Sequence, residues 1–187
     1  MEATPLSDDL ARIRALAFDV DGVLTDGGVW WGPGGEEWKR FCFEDIMGIS
    51  LARRAGFELA LISGEDSPLV SRYAEKMQIR QVIKGCRDKA TALREIAAST
   101  GIELAEICYM GDDVNDLPAM QIAGISAAPA NAASDVLAQA KFVAKKAGGN
   151  GAVRELIEAL LAARGLCASE VFFAPMIHSQ ENRRSYS

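Results

Sequence analysis

ALAFDVDGVLTDGG, residues 15–28, runs from an apolar, strand-like segment into two aspartates, Asp19 and Asp21, and then breaks into glycines. Alternate side chains of an extended segment share a face, so both carboxylates address the same point. Two like charges at the end of a buried strand repel each other. They are kept there either to bind a cation or to do chemistry, and the remainder of the chain decides between the two.

Outward from this stretch, four further strand-sized runs follow: ELALIS (58–63), QVIKG (81–85), ICYMGD (107–112) and GISAAP (124–129). Several are apolar almost throughout, the pattern of strands covered on both faces. Amphipathic stretches lie between them at about 46–55, 67–77, 88–100, 115–122 and 133–140. A last one near 152–163 keeps Val153, Leu156, Ile157, Leu160 and Leu161 at helical spacing. The alternation predicts an α/β fold: a Rossmann-like, mostly parallel sheet with helices on both faces. The exception is GGVWWGPGGEEWKRF (27–41), where aromatic-rich runs flank Gly-Pro-Gly-Gly, which predicts a small β-hairpin flap. A single domain over residues 1–164 accounts for all of this. Residues 165–187 form a tail without periodicity, expected to be mobile, whose Phe172, Phe173 and His178 offer no motif.

A chain of 187 residues is long enough to bury a core. Its net charge of −6 gives no basic surface for nucleic acid or an anionic membrane. An acidic protein that handles an anionic substrate must gather positive charge locally, most simply as a metal ion. No apolar run reaches the roughly 20 residues that span a bilayer. MEATPLSDDLARIR (1–14) also lacks the basic-then-apolar pattern of a signal peptide. Cys42, Cys86, Cys108 and Cys167 have no CxxC spacing and read as thiols of a reducing compartment. The expectation is a cytoplasmic protein with neither a nucleic-acid nor a membrane partner.

The polar residues at the predicted strand ends form a pattern. Asp19 and Asp21 follow the first strand, Ser63 closes the second, Lys89 opens the helix after the third, and Asp112, Asp113 and Asp116 follow the fourth in GDDVND. Taken singly, each has an ordinary reading: a turn or cap residue at Ser63, a surface lysine at Lys89, a solvated helix start at GDDVND. Their order at four successive strand ends argues for one site, because such ends converge in a parallel sheet. Carboxylates crowded together need a cation, and oxygen donors without His or Cys favour magnesium over zinc. A carboxylate, a magnesium ion, a lysine and a hydroxyl suit a phosphoryl group. One carboxylate attacks phosphorus to give an aspartyl-phosphate, and the other serves as general acid and then base.

FDVDGVLTDG, LISG, DK and GDDVND resemble the four motifs of the haloacid dehalogenase superfamily in its phosphatase form, over about residues 12–163. The short interval between Asp26 and Ser63 leaves room for the hairpin but not for a large cap domain. Together with GGNGAVRE (148–155), this is similar to the capless branch. That branch contains 3-deoxy-D-manno-octulosonate 8-phosphate phosphatases and the 2-keto-3-deoxynonulosonate and N-acylneuraminate 9-phosphate phosphatases. The resemblance implies Asp19 as nucleophile and Asp21 as acid/base. It implies Mg2+ held by the carboxylates of Asp19 and Asp112 and by the carbonyl of Asp21. Ser63 and Lys89 would hold phosphoryl oxygens, and Asp113 and Asp116 would orient the metal shell and the lysine. The resemblance also implies a homotetramer in which a neighbouring subunit closes each active site.

The departures bear on the substrate, a phosphorylated sugar acid. Octulosonate phosphatases have Arg after the Ser-Gly pair, whereas Glu65 follows Ser63 and Gly64 here. The nonulosonate-type enzymes resemble this chain better, with Glu there and Lys eleven residues on, here Lys76. That span is about three helical turns. Glu65 and Lys76 therefore either share a helix face, or Glu65 opens a helix and Lys76 is solvated. EDIMGIS (44–50) stands where octulosonate enzymes read Asp-Gly-Tyr-Gly. Asn150 stands where many relatives have Arg, which leaves Arg154 as candidate cation for a sugar-acid carboxylate. Gly64, Glu65, Lys76 and Arg154 are thus the candidate substrate-binding residues. A nine-carbon acid 9-phosphate is the preferred substrate and the octulosonate 8-phosphate the alternative. Trp30 and Trp31 read either as part core, part oligomer interface or as a wall of a neighbour's site.

Two other classes fit less well. A signalling receiver domain places its acceptor aspartate after the third strand and its acidic pair after the first, the reverse of the order here. A non-catalytic binding protein on the same scaffold is expected to have lost Asp19, Asp21 or Asp112, all of which are present.

Overall fold

The structure, a computed structural model, describes residues 5–174. In chain order it comprises α1 (Pro5–Ala11), β1 (Ala15–Phe18), β2 (Trp30–Trp31), β3 (Glu37–Trp38), α2 (Phe43–Arg54), β4 (Glu58–Ile62), α3 (Pro68–Met77) and β5 (Gln81–Ile83). It continues with α4 (Lys89–Thr100), β6 (Ile107–Met110), α5 (Leu117–Ile122), β7 (Ile125–Ala128), α6 (Ser134–Gln139), β8 (Phe142–Val143), α7 (Ala152–Ala163) and α8 (Ala168–Phe173). Six strands form one sheet in the order β5-β4-β1-β6-β7-β8, every neighbouring pair parallel. β2 and β3 form a separate antiparallel hairpin, and no cap domain is inserted. The predicted α/β sheet, covered on both faces and bearing only a small flap, is the architecture observed.

The alternation of side chains divides the core in two. Leu16, Phe18, Leu59, Leu61, Cys108 and Met110 face a cluster closed by α1, α2, α3 and α7. Ala15, Ala17, Ala60, Ile62, Ile107 and Tyr109 face the cluster closed by α4, α5 and α6. β1 lies between β4 on one side and β6 on the other, so the chain order reverses there and the connecting loops part to leave a crevice. Phe18 is level with Leu61 and Met110, which brings Asp19, Ser63 and the Gly111–Asp112 step out at the same edge.

Packing on the α2–α7 side is tightened by a buried carboxylate. Asp45 accepts from the N–H groups of Gly151 and Arg154, at 3.0 Å each, and so caps α7 from α2. Burial raises the Asp45 pKa, against the pull of those N–H donors. Three small elements carry no periodic signal. α1 and α8 are seven and six residues long, and β8 is a two-residue edge strand. Beyond Gly165, where no periodicity is visible, Val171 nonetheless anchors α8, and the carbonyl of Phe172 accepts from Arg54. His178 lies outside the described residues. Among the described residues, no helix is long and apolar enough to cross a membrane.

Candidate active site

The loop after β1 is wound by its own side chains. The Val20 carbonyl accepts from Leu24 and Thr25 N–H, and the buried Thr25 hydroxyl accepts from Gly22 and Gly27 N–H at 3.2 and 3.3 Å. Gly22 has φ +86°, and a Cβ there would lie 2.0 Å from Oδ2 of Asp112. Only glycine lets the loop lie against that carboxylate. Gly148 closes the opposite side, where a Cβ would fall 1.7 Å from the Gly22 carbonyl oxygen.

Asp19, Asp112 and Asp116 each offer a carboxylate oxygen, and these oxygens lie within 4.8 Å of one another. The buried Lys89 ammonium sits 2.9 Å from Asp19 Oδ1 and 2.6 Å from Asp116 Oδ1. Asp116, with no exposed surface, is fully engaged. Its Oδ1 also accepts from the Tyr109 hydroxyl at 2.7 Å, and its Oδ2 accepts from Asp112 and Asp113 N–H at 3.0 and 3.2 Å. It therefore orients the lysine and folds the GDDVND loop. Asp113 is exposed, and its carboxylate caps the short 3-10 turn Val114–Asp116 by accepting from Val114 N–H at 2.7 Å.

The electrostatics are those of a site short of positive charge. Burial, with repulsion from Asp116, raises the Asp19 pKa to about 6 against the pull of Lys89. Burial, with repulsion from Asp19 and Asp116, raises Asp112 to about 7. Burial works against the charge on Lys89, but Asp19 and Asp116 outweigh it and hold its pKa above the usual lysine value. Three carboxylates against one ammonium leave a surplus of two negative charges. A divalent cation with hard oxygen ligands fits this donor set. With both oxygens of Asp116 engaged, the carboxylates of Asp19 and Asp112 are the ones left for it. The carbonyl of Asp21 accepts no backbone hydrogen bond among the described residues and would be open to serve as a third donor.

Ser63 is buried at the end of β4, and its hydroxyl accepts from Glu65 N–H at 3.1 Å. A Cβ on Gly64 would approach only Cys86 O and Asn115 Nδ2, at 3.9 and 4.0 Å, so the second and fourth strand-end loops meet there. Of the remaining substrate candidates, Glu65 stays beside Ser63 in the loop, whereas Lys76 and Arg154 turn to other partners. Ser67 caps α3 and Pro68 opens it, so Glu65 precedes the helix and shares no helix face with Lys76. Lys76 instead places its ammonium 5.6 Å from the centre of the Phe43 ring. Arg154 turns its guanidinium along α7 onto Glu158 at 2.7 Å.

Three side chains not singled out from the sequence take part. Lys39, at the foot of the flap, reaches Asp21 Oδ1 at 2.8 Å. Arg40, next to it, donates to Asp26 Oδ2 at 3.0 Å, the Gly149 carbonyl at 2.9 Å and Asn150 Oδ1 at 2.6 Å. A guanidinium thus arrives at Asn150 from the flap. Tyr109 carried a visible signal, a hydroxyl inside an otherwise apolar strand just before GDD. Lys39 carried only a weak one, since Glu37 and Lys39 fall on the same face of an extended segment. Trp30 and Trp31, read as part core and part oligomer interface or as a wall of a neighbour's site, stand 52% and 78% exposed on the protomer, because a hairpin of two-residue strands has no second layer to cover them.

A family model of haloacid dehalogenase-like hydrolases matches residues 65–156. The chain is 37% identical over 165 residues to the 3-deoxy-D-manno-octulosonate 8-phosphate phosphatase of Escherichia coli K12, covering 86% of this chain and 88% of that protein. Among solved structures it is similar to the Moraxella catarrhalis 3-deoxy-D-manno-octulosonate 8-phosphate phosphatase in complex with magnesium, phosphate and KDO. That comparison gives a TM-score of 0.85 at 36% identity, over 88% of this chain and 94% of the other. It is likewise similar to the cobalt-bound Haemophilus influenzae deoxy-D-mannose-octulosonate 8-phosphate phosphatase, with a TM-score of 0.82 at 36% identity over 84% and 92% of the two chains.

Proposed function

The chain belongs to the haloacid dehalogenase-like hydrolases, and from that premise we propose that this phosphoric monoester hydrolase uses Mg2+ to remove phosphate from 3-deoxy-D-manno-octulosonate 8-phosphate. The observation that carries the substrate is likeness over 86% of the chain to a relative named for that ester, with a solved relative holding magnesium, phosphate and KDO. The preference for a nine-carbon 9-phosphate gives way. It leaned on Glu65 and Lys76 matching the nonulosonate-type pattern, whereas the similar proteins are named for the octulosonate ester, and α3 begins only after Glu65, so the two share no helix face.

Asp19 attacks phosphorus, and the ester oxygen leaves with the proton of Asp21. Asp21 then takes a proton from water as that water opens the aspartyl-phosphate, which returns both carboxylates to their starting state. Lys89 and Ser63 hold phosphoryl oxygens. Asp116 fixes the lysine, and Asp113 shapes the loop that presents Asp112. The carboxylates of Asp19 and Asp112 and the carbonyl of Asp21 would hold Mg2+, which would supply positive charge to the phosphoryl oxygens beside the nucleophile. Gly64, and the guanidinium of Arg40 in place of that of Arg154, border the space left for the sugar acid.

The flap supports assembly into a homotetramer. Trp30 and Trp38, cross-strand partners on one face of the hairpin, are exposed, as are Trp31, Phe43 and Met47, and a second copy would cover apolar side chains of this kind.

The test is phosphate release with Mg2+ from the octulosonate 8-phosphate and a nonulosonate 9-phosphate side by side. A higher kcat/KM on the octulosonate is expected. A higher value on the nine-carbon ester overturns the substrate, and cleavage of an aryl phosphate alone discards both esters while keeping the chemistry.

A further inference from the structure

Asp21 is bound by a cation from outside the sheet. Lys39 lies just beyond β3, its side chain 2% exposed, with its ammonium 2.8 Å from Asp21 Oδ1 and 3.5 Å from Glu37 Oε1. Glu37 is itself held. Its Oε1 accepts from the Ser67 hydroxyl at 3.3 Å, and its Oε2 accepts from the Trp31 indole N–H at 3.3 Å. A line of polar contacts therefore runs from an exposed indole on the flap, through Glu37 and Lys39, to a carboxylate of the crevice. A buried ammonium is costly unless paired, and both of its partners here are carboxylates.

We propose that Lys39 is a positioning residue for leaving-group protonation: it fixes Asp21 through Oδ1, so that Oδ2 faces the departing ester oxygen. This rests on the reading of Asp21 as acid/base. A carboxyl on a short side chain turns freely about its last bond, and one oxygen pinned at 2.8 Å removes that freedom. Glu37 shares the charge of the ammonium, and Lys39 holds Asp21 as its ion-pair partner at Oδ1. The acid/base is then competent only while the flap stands in place. The hairpin thus serves the reaction as well as bordering the site.

Leaving groups distinguish this from a purely structural role. An alkoxide leaves poorly without a proton, whereas p-nitrophenolate needs none. The value of kcat/KM reports the half-reaction up to loss of the leaving group. Lys39→Met is expected to lose about 10- to 100-fold in kcat/KM on the octulosonate 8-phosphate and less than about 3-fold on p-nitrophenyl phosphate, a part of what general acid catalysis supplies. Lys39→Arg, which keeps a donor to Asp21, should recover most of the loss. Equal losses on both esters, or none on either, overturn the proposal. Should Lys39→Met show no cooperative melting, Glu37→Gln replaces it under the same criterion, since it frees the ammonium that Glu37 holds. Asp21→Asn is the control. If it discriminates between the esters and the Lys39 variants do not, the proposal alone fails; if Asp21→Asn slows both esters equally, its reading as the acid fails.

Discussion

The crevice and the flap differ in how they hold their polar groups. In the crevice, Asp116 alone accepts from a lysine, a phenol and two backbone N–H groups, and the loop before it is wound on Thr25 and closed by glycines. The flap has two strands of two residues each, three tryptophans at least half exposed, and one well-buried ammonium. The groups that move charge are fixed by the sheet and by the loops at its edge. The exposed tryptophans and Lys39 are placed on a light element whose own core is too small to order it.

The largest effect expected from either region is at Asp19. Asp19→Asn removes the nucleophile while keeping the side-chain volume, and turnover should fall by more than about 10,000-fold on every ester, aryl phosphates included. The melting temperature without metal should not fall, because the substitution also removes a buried like charge beside Asp112 and Asp116. Appreciable residual turnover would sink the nucleophile assignment and with it the contrast between the two regions.

Next in size is the linkage between pH and metal. Asp19 and Asp112 titrate at about 6 and about 7 in the folded protein, both raised by burial and then by neighbouring carboxylates. The unfolded chain releases these protons near the ordinary carboxylate range, so between roughly pH 4 and pH 7 the folded state holds more protons than the unfolded one. Stability without metal therefore falls as pH rises through that window and levels off above it. Mg2+ relieves the same repulsion, so its stabilising effect grows with pH. Melting curves with and without Mg2+ at about pH 5.5 and about pH 8 should show the larger metal-induced rise at the higher pH. Asp112→Asn should erase most of the difference. Equal rises at both pH values would mean that these carboxylates do not hold the ion.

The same division explains what was legible in the sequence. β1, β4, β6 and β7 are buried along almost their whole length, so their composition announced them. The carboxylates of the candidate site stood out because they follow those strands directly. β8, α1 and α8 have too few residues to display a period, and each owes its place to contacts from distant parts of the chain. Lys39 was faintly marked and Arg40 unmarked for a related reason. Their partners Asp21 and Asn150 lie far from them in sequence, and nothing local marks which of several lysines and arginines turns inward. Glu65 and Lys76 erred the other way. Their spacing suggested one helix face, but a Ser-Pro cap placed between them decided where the helix starts.

The smallest effect on the protomer, and the one that most directly sharpens the comparison, lies at Trp30. Its indole is 52% exposed and makes no side-chain hydrogen bond among the described residues, so Trp30→Ser removes apolar surface without breaking the Glu37–Lys39–Asp21 line. Surface substitutions of this kind change folding stability by no more than about 0.5 kcal/mol. If a second copy covers the flap, sedimentation should show a tetramer giving way to smaller species. The melting transition of the protomer should remain close to that of the parent. Turnover of p-nitrophenyl phosphate, which asks only for the carboxylates, the lysine and Mg2+, should persist in the smaller species, whereas KM for the sugar-acid ester should rise if a neighbour closes the site. An unchanged assembly would leave the exposed aromatics without a partner of their own kind. Loss of the aryl phosphatase along with the tetramer would show that the crevice does not hold its geometry independently of the flap.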